Sequence, residues 1–179
     1  MTATEPERRV VPLIDEAVIA ARLESLAAEI AAAMPEEFTL VALLKGAFVF
    51  AADLTRALGR AGCHPRVEFM QLSSYGSGTV SSGVVQLHGP TPEGLAGRPV
   101  LLVDDIADSG RSLAFARRQI TDGGASEVRV CALLDKPSRR VVPVPVDFVG
   151  FTVEDVFVVG YGIDHAERYR HLPFVGVVE

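Results

Sequence analysis

The stretch Val100-Leu101-Leu102-Val103-Asp104-Asp105-Ile106-Ala107-Asp108-Ser109-Gly110-Arg111-Ser112-Leu113 decides how the rest of the chain is read. Its first four residues are apolar and mostly branched, which predicts a strand buried on both faces. The Ala/Phe/Ile pattern running to Ile120 predicts a helix. Between the two lie adjacent carboxylates and a Ser/Gly-rich turn, at the end of the strand where open α/β sheets bind ligands. Amide groups at Ser109 to Ser112 can point at a phosphate, Gly110 lets the backbone come close, and two serine hydroxyls add donors. Asp104 and Asp105 are acceptors for vicinal hydroxyls such as those of a ribose. The stretch therefore fits a sugar phosphate. Helix capping is the competing reading, since Asp, Ser and Gly also cap helices and turn chains. Against it, Asp104, Asp105 and Asp108 repel one another unless a cation or a hydroxyl-rich ligand sits among them.

Composition narrows the class. The 179 residues fit one domain spanning 1–179 with a sizeable core. With 49% hydrophobic and 22% charged residues, disorder is expected only over about residues 1–8. No apolar stretch approaches the roughly 20 residues of a membrane span, and Met1–Pro6 lacks a signal-peptide layout, so a cytoplasmic protein with no membrane partner is expected. Cys63 and Cys131 form neither a C-x-x-C pair nor a zinc pattern with the four histidines, and buried free thiols are expected. A formal charge of −6 argues against a general nucleic-acid binder. It leaves room for an anionic small substrate held by local cations.

Reading along the chain, Glu16 to Met34 predicts an amphipathic helix ended by Pro35, and Thr39 to Leu44 a buried strand. Lys45-Gly46 interrupts, and Ala47 to Leu58 predicts a helix leaving at Gly59. Val67 to Leu72 is the next strand, which makes a βαβ unit with parallel strands. Residues 73–83, reading SSYGSGTVSSG, predict a loop that is either a hairpin tip or a mobile lid. Val84 to Leu87 reads as a returning strand and Glu127 to Leu134 as another buried one. Val141 to Val146 carries two prolines and is excluded as an interior strand. Phe148 to Phe151, Val156 to Val159 and Phe174 to Val178 read as short strands, with a helical turn near Glu167. The expected fold is α/β: a mostly parallel twisted sheet flanked by helices, with a small lobe built from the termini.

On these residues the chain resembles the type I phosphoribosyltransferases, whose signature for phosphoribosyl pyrophosphate (PRPP) looks like Val100 to Leu113. Four further segments look, in the same order, like those of the hypoxanthine-guanine members. They are Leu43-Leu44-Lys45-Gly46-Ala47, Leu72-Ser73-Ser74-Tyr75-Gly76, Leu134-Asp135-Lys136-Pro137-Ser138-Arg139-Arg140 and Val156-Phe157-Val158-Val159-Gly160-Tyr161-Gly162-Ile163-Asp164. The resemblance covers nearly all of the chain from about Leu40. It implies purine salvage: Mg²⁺-dependent transfer of ribose 5-phosphate from PRPP to N9 of hypoxanthine or guanine, giving IMP or GMP plus pyrophosphate. It also implies a homodimer or homotetramer.

The resemblance further implies a division of roles. Asp108 is the general acid/base at purine N7, and an ordinary Asp would need its surroundings to raise its pKa for that work. Asp104 and Asp105 hold the ribose hydroxyls and Mg²⁺. Ser109, Gly110, Arg111 and Ser112 cradle the 5′-phosphate, with serines where the family commonly has threonines. Lys45, Gly46 and Arg170 contact pyrophosphate, and family members often carry a cis peptide at the position of Leu44-Lys45. Lys136 donates to the purine O6, Phe157 stacks on the base, and Val158 and Asp164 read the edge near C2. Asp164 is also a metal contact, Arg140 braces the loop, and Ser74 and Tyr75 close the lid. From the residues alone Asp108 could cap a helix, Phe157 could be core, and Lys45 and Arg170 could be solvated. A PRPP-binding regulator, or a phosphoribosyltransferase for another base such as xanthine, are the alternatives.

Overall fold

Val100, Leu101, Leu102 and Val103 are fully buried, yet they face opposite ways. Leu101 and Val103 join one hydrophobic core, and Val100 and Leu102 join another. A strand apolar on both faces must lie inside a sheet covered on both sides, because successive side chains alternate. The computed structural model describes residues 9–74 and 84–179 and has this arrangement. Its elements are β1 (Val10–Ile14), α1 (Glu16–Ala33), β2 (Thr39–Leu44), α2 (Phe48–Arg60), β3 (Arg66–Ser74), β4 (Val85–His88), β5 (Pro99–Ala107), α3 (Arg111–Asp122), β6 (Glu127–Asp135), β7 (Phe148–Thr152), β8 (Val158–Val159) and β9 (Val175–Val178).

The main sheet has the order β4-β3-β2-β5-β6-β7. All its pairings are parallel except β3 with β4, which form an antiparallel edge. Helices α1 and α2 cover one face and α3 the other, each through a narrow apolar stripe. In α1 that stripe is Ile19, Leu23, Leu26, Ala27 and Ile30. Its spacing of three and four residues is the helical period, and Pro35 ends the run. Strands β1, β9 and β8 form a second, antiparallel sheet that joins the two ends of the described chain. Cys63 and Cys131 are both buried and free. Among the described residues no helix is long and apolar enough to cross a membrane.

Several expectations are corrected. Strand β5 does not stop at Val103 but runs through Asp104 and Asp105 to Ala107, because pairing with β6 continues from Asp104 to Ala107. Ser73 and Ser74 are not loop: they pair with Gln86 and Val85 in the β3–β4 hairpin. Helix α2 continues past Gly59 to Arg60. The strand expected over Val156 to Val159 is only Val158–Val159, so Phe157 lies outside it. Near Glu167 there is no helical turn, since Ala166, Glu167 and Tyr169 have φ of 50°, 62° and 73°. Those values are left-handed, which a right-handed helix excludes. The expected flexible residues 1–8 and the rest of the proposed lid, Tyr75 included, lie outside the described residues.

Leu101 sits on the central strand with no exposed surface. Leu101→Ala is expected to lower unfolding free energy by about 2–5 kcal/mol in urea denaturation, with little change in m. A loss below about 1 kcal/mol would contradict the placement of β5 at the centre of both cores.

Candidate active site

Strands β2 and β5 are neighbours, but their chains leave in opposite directions. From β2 the chain crosses through α2 to β3, and from β5 through α3 to β6. Divergent crossovers open a crevice at the ends of adjacent strands, which is where open α/β sheets take their ligands. A cleft of about 190 Å³ lies there. Its walls include Gly46 after β2, Asp104 and Asp105 in β5, Asp108, Ser109 and Gly110 in the turn before α3, and Ser112 in the first turn of α3. Gly110 has φ of 85°, and a Cβ on it would meet the Val142 carbonyl at 2.4 Å. Only glycine serves there.

Asp104 is buried, and its Oδ1 accepts from the Asp105 amide at 2.9 Å. Asp105 Oδ1 accepts from the Ile106 amide at 2.9 Å. Burial, followed by the Asp105 charge, pushes the Asp104 carboxyl well above the ordinary range. Burial pushes Asp105 up as well, with its hydrogen bonds and the Arg170 charge working the other way. Such a pair titrates as a unit. Gly46 packs directly on it: a Cβ at Gly46 would lie 1.9 Å from Asp105 Oδ2. The Leu44-Lys45 peptide is cis.

A second group of site residues comes from the segment Gly160–Arg170. Gly162 has φ of 94°, and a Cβ there would stand 2.8 Å from the Gly46 carbonyl oxygen, so this segment closes against the Lys45-Gly46 turn. Arg170 donates to the Gly162 carbonyl at 2.7 Å and pairs with Asp164 at 3.0 Å. Its buried Nε has no partner among the described residues. Tyr161 ties the segment to α2 by donating its hydroxyl to Asp53. Lys45 Nζ lies 3.2 Å from Glu167 Oε1.

The third group follows β6. Lys136 is buried, and its ammonium donates to the Val156 carbonyl at 2.6 Å. Phe157, next in sequence, is 57% exposed, which removes it from the core and leaves its face available. Its ring meets His165 edge-on at 5.2 Å. Val158 is buried in β8. Arg140 braces the loop by donating to the Asp108 and Ala107 carbonyls at 3.0 and 3.1 Å and by pairing with Asp135. Arg111 N donates to Ser109 Oγ at 3.4 Å, while Gly110 is the N-cap of α3.

The structure therefore gathers Gly46, Asp104, Asp105, Asp108 and the Ser109–Ser112 turn in one cleft. It sets Lys45, Asp164 and Arg170 in an adjoining ion cluster, and Lys136, Phe157 and Val158 beside the Pro137–Arg139 turn. Two participants escape sequence reasoning. Arg139 Nε pairs with Asp108 Oδ1 at 3.0 Å, and its Nη1 lies 3.4 Å from Asp155 Oδ2. Glu167 contacts both Lys45 and Arg170. The only advance signal for Glu167 is its position three residues from both Asp164 and Arg170; Arg139 offers nothing beyond being a charge next to Arg140.

A mostly parallel sheet with a Ser/Gly turn and adjacent carboxylates at its switch point has the layout of a class that handles sugar phosphates. Residues 14–166 match the family model described as the phosphoribosyl transferase domain, and the chain belongs to that family. The hypoxanthine phosphoribosyltransferase of Salmonella typhimurium is 46% identical over 169 residues, covering 93% of each chain. The hypoxanthine-guanine phosphoribosyltransferase of Bacillus subtilis is 41% identical over 168 residues, covering 93% of this chain and 92% of that one. A crystal structure of a hypoxanthine-guanine phosphoribosyltransferase from Bacillus anthracis matches with a TM-score of 0.85 at 39% identity, over 97% of this chain and 100% of that one.

The carboxylate pair has a thermodynamic signature. Between the ordinary Asp value near 3.9 and the raised value of Asp104, the folded protein holds a proton the unfolded chain has released. Stability falls as pH rises across that window, and the deficit is complete above it. At about pH 7.5, Asp104→Asn is expected to raise Tm by roughly 2–4 °C, the gap closing toward about pH 4. Scanning calorimetry across pH checks this, and a gap that widens on acidification would contradict it.

Proposed function

We propose that the chain is a purine-salvage enzyme that transfers ribose 5-phosphate from PRPP to N9 of hypoxanthine or guanine, yielding IMP or GMP and pyrophosphate. The observation that carries the reading is the single cleft in which Asp104, Asp105, Asp108 and the Ser109–Ser112 turn share walls with Gly46. Names of relatives over nearly the whole chain support it.

The reaction breaks the C1–O bond to pyrophosphate and forms a C1–N9 bond, while the purine loses a proton from N7. Its transition state is cationic at the ribose, so groups that gain interaction as charge separates lower the barrier. Ser109, Gly110, Arg111 and Ser112 hold the 5′-phosphate through helix-start amides and hydroxyls. Asp104 and Asp105 accept from the ribose hydroxyls, and their charge faces the carbon that turns cationic. Lys45, the Gly46 amide and Arg170 receive the leaving pyrophosphate. Asp108 takes the N7 proton, with Arg139 holding one of its oxygens. Lys136 donates to O6, where adenine would present another donor. Phe157 stacks on the base, and backbone groups of Val158 and Asp164 read its edge near C2. By the resemblance, Ser74 and Tyr75 would exclude water.

The donor set fits Mg²⁺. Asp104 and Asp105 offer hard oxygens in the cleft and Asp164 another in the adjoining ion cluster, so they would hold the ion only in part. That suits an ion that keeps waters and draws its remaining ligands from substrate phosphates. When bound, it supplies positive charge to the leaving pyrophosphate.

The direct assay mixes protein, Mg²⁺ and PRPP with hypoxanthine, guanine, xanthine or adenine and follows nucleotide formation by ultraviolet absorbance. Turnover is expected with the 6-oxopurines; none with any purine would sink the reading. Asp108→Asn is expected to lower kcat by about 10²-fold or more with a modest change in KM. An unchanged kcat would return Asp108 to a capping role. Lys136→Ala is expected to raise KM for the base about tenfold while leaving that for PRPP within about twofold. Equal effects on both would remove Lys136 from the base.

A further inference from the structure

Between the two cations assigned to pyrophosphate sits a carboxylate. Glu167 Oε1 lies 3.2 Å from Lys45 Nζ, and its Oε2 lies 3.4 Å from Arg170 Nη2. Two oxygens of one anion spanning an ammonium and a guanidinium is how a phosphate engages such a pair. Asp164 also contacts Arg170, but Glu167 is the one side chain among the described residues that contacts both cations.

The backbone builds this contact deliberately. Ala166, Glu167 and Tyr169 occupy the left-handed region, which residues with side chains seldom adopt outside functional turns. His165 and Arg168 exchange backbone hydrogen bonds across the turn at 3.2 and 3.0 Å. The Glu167 amide donates to Asp164 Oδ2 at 2.8 Å. The carboxylate is thus launched from a turn pinned on both sides toward Lys45, a residue 122 positions away in sequence. Lys45 Nζ donates to the carboxylate, so the contact joins an ammonium to a carboxylate across the fold. Lys45 and Glu167 remain 56% and 67% exposed at their side chains, and ion pairs so exposed are weak enough for a polyanion to displace.

We propose that Glu167 is an internal competitor for the pyrophosphate subsite: its carboxylate bridges Lys45 and Arg170 until the pyrophosphate of PRPP displaces it, and bridges them again as product pyrophosphate leaves. The inference rests on the assignment of Lys45 and Arg170 to pyrophosphate. Glu167 weakens binding of the leaving group and limits inhibition by product, while its charge keeps the two cations neutralised and together when no phosphate is bound.

Calorimetric titration with inorganic pyrophosphate, in the presence of Mg²⁺, tests the idea on the full chain and on two variants. Glu167→Gln keeps the size and hydrogen-bonding capacity of the side chain and removes its charge. It is expected to bind pyrophosphate about three- to tenfold more tightly than the parent and to be inhibited by it at correspondingly lower concentration. Lys45→Ala is expected to bind it more weakly. If Lys45→Ala weakens binding but Glu167→Gln binds as the parent does or less tightly, the competitor role is overturned and the subsite stands. If Lys45→Ala binds as the parent does, the subsite assignment itself fails and the inference falls with it.

Discussion

Two carboxyl groups, Asp104 buried and Asp105 half-buried, lie side by side at the end of the strand that carries both cores. Asp104 and Asp105 cannot move apart, because β5 is locked between β2 and β6 and covered on both faces. Their nearest hydrogen-bond donors are the amides of the residues that follow each of them. The surrounding chain adapts to that charge. Gly46 must lack a side chain because the Asp105 carboxylate fills the space. Gly162 must lack one because the Gly46 carbonyl then fills the next. Arg170, reached through that same contact, is the cation whose charge bears on Asp105. The arrangement lowers the stability of the folded chain by itself and would become favourable on binding the cation and hydroxyl groups proposed for it, the usual trade at a functional site.

Two clasps join the remaining parts to this centre. One is the turn after β6, where Lys136, Arg139 and Arg140 reach the Val156 carbonyl, Asp155, Asp108 and Asp135. It ties the segment that would read the base to the carboxylate that would take its proton. The other is the left-handed turn at Ala166 to Tyr169, which sets Glu167 between Lys45 and Arg170. Within these clasps the Arg139–Asp108, Arg139–Asp155 and Lys45–Glu167 pairs are exposed or half-exposed, contacts that adjust readily when substrates exchange.

The elements with strong periodic patterns were legible. Strands β2, β5 and β6 read as continuous apolar runs, α1 as a stripe ended by Pro35, and the mostly parallel sheet as the consequence. Boundaries failed where pairing overrode pattern: the polar residues Asp104, Asp105, Ser73 and Ser74 looked like strand ends, yet backbone hydrogen bonding continues through them. Near Glu167 a helical turn is the expectation, whereas the backbone there is left-handed. In the site, the neighbourhood of the carboxylates and the Ser109–Ser112 turn could be read from local order alone. Phe157 could not be separated from core until its exposure was seen, and Arg139 and Glu167 act through partners that only the fold brings near. The purine assignment came from likeness to a family, since no spacing rule specifies a base.

The central claim is that the Asp104–Asp105 pair is the seat of PRPP. Thermal unfolding with and without PRPP and Mg²⁺, on the parent chain and on an Asp104→Asn, Asp105→Asn double variant, tests it most directly, because a ligand that binds only the folded state raises Tm. The account predicts a Tm rise in the parent that grows with PRPP concentration and is abolished in the double variant. An equal rise in both would contradict it.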